Sequence, residues 1–234
     1  MWGKLLGALA VIWAPVSTLA RVAEERRVLL GFGVVALYAA LGLIGGAIAV
    51  FGGLTQAQFQ QPGAQPLPPG FADFLDYIGV FSLVSALLYP FVLWLLVSGL
   101  MQLVTRFFGG TGPFSAMLAV VGVAQVPFVL SAAIYIPITG LQVVLGPSDS
   151  SGENPIPVIL GLLSGLLGLA FLLWHVALVV IGAASARRVG YGQSAGSCAI
   201  SCAGCVGLIL IVVLVFAVLV AVIAGVAGSG GVPS

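Results

Sequence analysis

Charged residues break this chain at only a few places. Between them lie five long uncharged stretches, 28–72, 77–105, 107–148, 154–186 and 189–234. Each exceeds the ~20 apolar residues that carry an α-helix across the hydrocarbon core of a bilayer. None alternates with the period of two that a membrane β-strand needs for its lipid and lumen faces. One helix per stretch is therefore predicted: about Leu29–Leu54, Ile78–Thr105, Phe114–Leu145, Pro157–Ala184 and Ser197–Ala227. The third stretch holds Pro127 and Pro137, so it forms either one kinked span or a broken pair. No polar loop divides it, which favours one span.

Ahead of the first span, Trp2, Lys4, Leu5, Leu6, Leu9, Ile12 and Trp13 recur at helical spacing. That pattern predicts an amphipathic helix lying in the membrane interface. A signal peptide is the alternative, with Lys4 as its charged start and Leu5–Trp13 as its apolar stretch, but no clear small-residue cleavage site follows. Pro15 suits the first turn of a second short helix, in which Arg21 and Glu25 stand four apart and can pair. Asp73 and Asp76 suit the opening turn of the second span, where acidic groups complement the helix dipole.

The connections fall into two kinds. Residues 55–70, TQAQFQQPGAQPLPPG, are polar, Pro-rich and uncharged, and residues 146–157, GPSDSSGENPIP, are a run of turn residues. FFGGTG (107–112) and ARRVGYGQS (186–194) are tight turns between antiparallel neighbours. The predicted fold is an all-α polytopic membrane helix bundle with five transmembrane helices and an N-terminal interfacial amphipathic helix. Its parts are a cytoplasmic or interfacial segment 1–28, a five-span domain 29–227 and a short tail 228–234. No internal repeat supports an inverted-repeat transporter.

Composition narrows the classes further. Hydrophobic types make up 61% of the 234 residues and charged ones 6%, where a soluble domain carries about 25% charge. A soluble globule and a disordered chain are both excluded. A net charge of +1 excludes an electrostatic nucleic-acid binder, which needs a basic stripe to neutralise phosphates. With five spans, all seven Lys and Arg fall on one side, and Asp73, Asp76, Asp149 and Glu153 face the other. The positive-inside rule then puts the N-terminus in the cytoplasm and the C-terminus outside. The membrane is the plasma membrane of a prokaryote, or the ER and Golgi of a eukaryote.

Few residues offer chemistry. His175 is the one histidine, and it lies within a predicted span. An intramembrane ionisable residue suggests a relay, a ligand contact or a metal ligand, whereas the plain reading is a neutral imidazole bonded to a neighbouring helix. Gln125 lies two residues before Pro127 and completes a candidate intramembrane polar site with His175. Ser164 and His175 share one helix eleven residues apart, about 16 Å along its axis, too far for a nucleophile and its base. The glycines at 161, 165 and 168, and the pair Gly42 and Gly46, are expected to seat neighbouring helices. Cys198, Cys202 and Cys205 form one stripe near the cytoplasmic end of the fifth span. Close packing among small residues explains them; acylation and soft-metal binding are the alternatives. No nucleotide, metalloprotease or paired-carboxylate motif occurs, and no cofactor is expected.

Several segments together resemble the Yip family, small multi-pass proteins that interact with Ypt/Rab GTPases, and its shorter prokaryotic members most. They are WAPVSTLARVAEERR (13–27), the loop and Pro-containing helix FFGGTGPFSAMLAVVGVAQVPFVL (107–130), LLWHVALVVIGAASARR (172–188) and YGQSAGSCAI (191–200). In eukaryotic members the resemblance implies vesicle trafficking and binding of prenylated small GTPases. The long cytosolic N-terminal region and the Asp-Leu-x-Gly-Pro segment of those members are missing from this sequence, so no partner-binding residue is carried over. The resulting expectation is a non-enzymatic membrane-organising scaffold whose partners are lipids, other membrane proteins or small GTPases. Its working face would be cytoplasmic, with Arg21, Arg26, Arg27, Arg106, Arg187 and Arg188. The alternative is a small transporter or channel with a path near Gln125 and His175.

Overall fold

A computed structural model of the chain describes residues 9–54, 71–145 and 156–229. The described residues are helical apart from short turns. A 3-10 turn at Ala10–Ile12 precedes α1 (Pro15–Glu24), α2 (Val28–Phe51), α3 (Phe71–Phe107), α4 (Phe114–Val123), α5 (Val126–Leu145), α6 (Ile156–Arg187) and α7 (Tyr191–Ser229). Four stretches among the described residues are long and apolar enough to cross a membrane: Val28–Phe51, Tyr77–Phe107, Phe114–Leu145 and Val158–Arg187. Residues 1–8 of the predicted Trp2–Trp13 helix, the polar loop 55–70 and all but the last two residues of the loop 146–157 lie outside the described residues.

The third stretch is one span in two pieces. Pro127 has no amide hydrogen to offer the carbonyl of Val123, and its ring crowds that carbonyl. The helix therefore stops at Val123 and resumes at Val126. Pro137, in contrast, is carried inside α5, and Pro90 inside α3. The short piece α4 is the centre of the molecule. It packs against α1, α2, α3 and α6, and Ala116, Met117, Ala119, Val120, Val121, Gly122 and Val123 are all buried. Of the third span's most apolar stretch 67% is buried, against 17%, 11% and 22% for the other three. Trp94 of α3 fixes α4 by donating its indole N–H to the Leu118 carbonyl at 2.9 Å.

Helix α1 begins at Pro15 as predicted, with Thr18, Leu19, Val22 and Ala23 buried against α6 and α4. Two expectations change here. Glu25 pairs with Arg27 rather than Arg21, because α1 ends at Glu24 and the chain turns through Arg26 at φ +49°. Among the described residues, most of the small-residue stripe of α6 meets no neighbour. A Cβ added at Gly161 or Gly165 would meet nothing within 4 Å among the described residues, and only at Gly168 does the Tyr135 hydroxyl approach, to 3.0 Å.

Tight helix contact occurs elsewhere. A Cβ on Gly31 would lie 3.0 Å from the Ala119 carbonyl oxygen, and one on Gly122 would lie 2.5 Å from the Gly31 Cα. The α2 and α4 backbones touch there, which only glycines permit. Gly42 and Gly46 seat α3 more loosely, through Leu83 and Ala86. Gly122→Leu is expected to lower stability by about 1–3 kcal/mol or more, while Gly165→Leu stays within about 0.5 kcal/mol. Thermal unfolding of both variants in detergent checks this; equal shifts would contradict the contact.

Candidate functional site

At the end of the bundle where α3 and α6 finish and α4 begins, one cation is turned inward. Arg187 is 2% exposed. Its Nε donates to Thr105 Oγ1 at 3.0 Å, and its Nη2 donates to the Gly110 carbonyl. Thr105 Oγ1 in turn donates to the Met101 carbonyl at 2.6 Å. The backbone closes the same knot, with the Thr111 amide donating to the Arg187 carbonyl at 3.1 Å. Among the described residues no carboxylate pairs with this guanidinium. Neutral oxygens solvate it instead, as a desolvated charge requires.

The local sequence makes the knot possible. Gly109 adopts φ +82°, and the Gly110 amide reaches back to the Thr105 carbonyl at 2.9 Å. That is the helix-ending turn that a left-handed glycine favours. A Cβ on Gly112 would overlap the Ala186 carbonyl. The loop FFGGTG is therefore bound to the end of α6, and it covers Arg187.

The other arginines of the predicted face lie outside. Arg21, Arg26, Arg106 and Arg188 are exposed and Arg27 is half-buried. Arg187, grouped with them by charge alone, is not on that surface. Arg26 and Arg188 each hold a left-handed backbone, φ +49° and +57°. Each follows a helix end whose next amide reaches five residues back, Arg27 to Val22 at 3.3 Å and Val189 to Ala184 at 3.2 Å. These are Schellman caps with arginine in the place glycine usually takes. Exposed Trp13, Leu29 and Phe107 border the same end.

The two intramembrane candidates come together. His175 Nδ1 lies 2.7 Å from the carbonyl of Ala124, at the α4–α5 break. That carbonyl is available because the Phe128 amide, its helical partner, bonds to the Gln125 carbonyl at 2.9 Å instead. The His175 ring also lies 4.5 Å from that of Phe128, which stacks on Tyr38 at 5.6 Å. His175 and Gln125 line one cavity of about 290 Å³, and no charged residue lines it. Ser164 is on α6 with His175, and its carbonyl accepts from the Tyr135 hydroxyl at 2.6 Å.

The cysteines divide. Cys198 is buried, Cys202 exposed and Cys205 between them. Cys198 and Cys202 border the cavity that holds His175. The closer packing on α7 belongs to Ser194, Ser197 and Ser201, all buried, with Ser194 Oγ donating to the Val180 carbonyl at 2.7 Å. No group of three His, Cys, Asp or Glu among the described residues could hold a metal ion.

The contributions of Tyr38, Trp94 and Tyr135 were not read from the sequence. Their signal was present, since a Trp or Tyr inside an apolar span brings a polar atom that needs a partner.

Helices long and apolar enough to cross a bilayer, stitched by interhelical bonds, define a multi-pass integral membrane protein. The chain belongs to the Yip1 family, whose Yip1 domain matches residues 9–215. It is similar to the uncharacterized protein MJ0794 of Methanocaldococcus jannaschii, 32% identical over 71 residues. That stretch is 30% of this chain and half the length of the relative. No solved structure matches.

Arg187→Met is expected to leave the Gly110 carbonyl unpartnered and to lower stability by about 1–3 kcal/mol. Arg187→Lys restores a donor without the planar fork and falls between. Arg106→Met, at an exposed position, stays within about 0.5 kcal/mol. Thermal melts in one detergent rank the three, and a loss for Arg106→Met as large as for Arg187→Met would refute the assignment.

Proposed function

We propose that this Yip1-family protein is a non-enzymatic scaffold that organises membranes through contacts at its cytoplasmic face. In this reading α7 is the fifth span, residues 29–227 are the membrane domain and residues 228–234 a tail. The N-terminus lies in the cytoplasm and the C-terminus outside. Residues 1–28 form a cytoplasmic segment whose helix α1 is docked on the bundle.

The observation that carries the reading is the contrast around Arg187. One buried cation ties the 109–112 loop to the end of α6, while Arg21, Arg26, Arg106 and Arg188 stay exposed at helix ends. A stiff frame that presents separated positive charges suits anionic headgroups and acidic protein surfaces. The exposed Trp13 and Phe107 supply the aromatic contacts that sit at headgroup depth. A prenylated small GTPase is one partner the family implies.

Crosslinking and pulldown from native membranes tests this, with wild type and a variant carrying Arg26→Gly, Arg106→Ala and Arg188→Gly. The glycines suit the left-handed positions, so the variant keeps its fold. Wild type is expected to return a reproducible protein partner, and the variant to lose most of it. Recovery of lipid alone from wild type would end the scaffold reading. Orientation has its own check. A membrane-impermeant thiol reagent should reach a cysteine placed at Ser234 from outside intact cells and miss one placed at Arg106, in a cysteine-free background.

A further inference from the structure

The cavity beside His175 has features of a binding site that the scaffold role does not use. We infer that it takes a neutral, membrane-resident lipid alcohol, whose single hydroxyl donates a hydrogen bond to His175 Nε2.

The polarity of the imidazole follows from its partner. The Ala124 oxygen, 2.7 Å from Nδ1, is a carbonyl and can only accept. Nδ1 therefore carries the proton. In a neutral ring Nε2 is then left with a lone pair, so it accepts and does not donate. No anionic side chain lines the cavity to hold the ring charged. Among the described residues nothing hydrogen-bonds Nε2. The tilted contact with the Phe128 ring, centroids 4.5 Å apart, keeps the imidazole in place.

The walls select the rest of the ligand. Besides His175, Gln125, the two cysteines and the phenols of Tyr38 and Tyr89, they are aliphatic or aromatic, with Leu93, Val97, Phe128 and Val176 among them. A charged ligand would find no counter-ion there, whereas an alkyl chain or an apolar ring fits. The space, about 290 Å³, is at the small end of ligand cavities, so part of the molecule stays among the lipid tails. Cys202, exposed on α7, borders the cavity, so the cavity reaches the outer surface of the bundle there.

Depth decides between lipid classes. His175 lies twelve residues before Arg187 on one helix, about 18 Å along the axis. Half of a ~30 Å hydrocarbon core is about 15 Å, so Nε2 is near the bilayer middle. A phosphate headgroup stays at the interface and does not reach it. A lipid whose only polar group is one hydroxyl is weakly anchored and can. An unpaired hydroxyl at that depth is unfavourable, and Nε2 relieves it.

Photolabelling in phosphatidylcholine vesicles tests the proposal. The probe is a long-chain alcohol with a diazirine on its chain, compared with its methyl ether. Wild type is expected to take up the alcohol between about twofold and tenfold more than the ether, the range of one net hydrogen bond, with label on peptides around residues 93–97, 175–179 and 198–202. His175→Phe should bring the alcohol down to the ether's level. Cys202→Trp fills the mouth, leaves the His175 bond to Ala124 intact and should lower both. If His175→Phe fails to fold, Cys202→Trp together with the alcohol-to-ether ratio in wild type decides. Equal labelling of wild type by alcohol and ether means an ordinary lipid tail occupies the cavity and overturns the proposal. Unchanged labelling in Cys202→Trp does the same.

Discussion

A carbonyl released from a helix inside a bilayer has no water to turn to, and the carbonyl of Ala124 is released at the centre of this molecule. Its partner has to come from the protein. His175 supplies it from α6 at 2.7 Å. Much else depends on that bond. It allows the third span to break ahead of Pro127, and the break yields the ten-residue piece α4. A piece that short can settle among α1, α2, α3 and α6 and meet the α2 backbone at Gly31. A continuous helix through the same residues would have to carry that close contact and the direction of α5 on a single axis.

The constraint recurs at the basic end with the sign of the problem reversed. There the buried group is a donor, the Arg187 guanidinium, and the backbone supplies acceptors. The last turn of α3 ends at a left-handed Gly109, which leaves the Gly110 carbonyl pointing at Arg187. Thr105 adds a hydroxyl already bonded to its own helix. In both places a helix end provides the backbone group and a side chain on α6 completes it. The helix α6 is thus the member on which both irregular ends of the neighbouring spans are satisfied.

These dependencies explain what could be read in advance. Spans need only length and an absence of charge, so four of them follow from the uncharged stretches. A kink or break in the third was visible as an ambiguity, but nothing in the sequence separated Pro127 from Pro137. The partner of His175 was not legible, because it is a backbone oxygen 51 residues away and a backbone oxygen carries no sequence signature. Arg187 was misgrouped for a related reason. A charge count treats every arginine alike, although burial turns one of them from a surface contact into an internal tie. The glycine stripes show the limit of pattern from the other side. Gly161 and Gly165 have the spacing without a neighbour among the described residues, while Gly31 and Gly122, on different helices, have a neighbour without a shared motif.

Arg187 and Arg188 bring these points to a single peptide bond. Adjacent in sequence and identical in chemistry, one is 2% exposed and the other lies at the surface. The backbone separates them. Arg187 completes the helical run of α6, so its side chain leans back along the helix toward Thr105 and the covering loop. Arg188 sits at φ +57°, where the helix ends and the chain turns, and its side chain is exposed. A left-handed arginine costs of order 1 kcal/mol or more relative to a relaxed one, and a glycine there would close the helix with less strain. Glycine would also carry no charge. The arrangement therefore gives up some local backbone stability and keeps a cation on the surface directly beside the cation that holds the frame together.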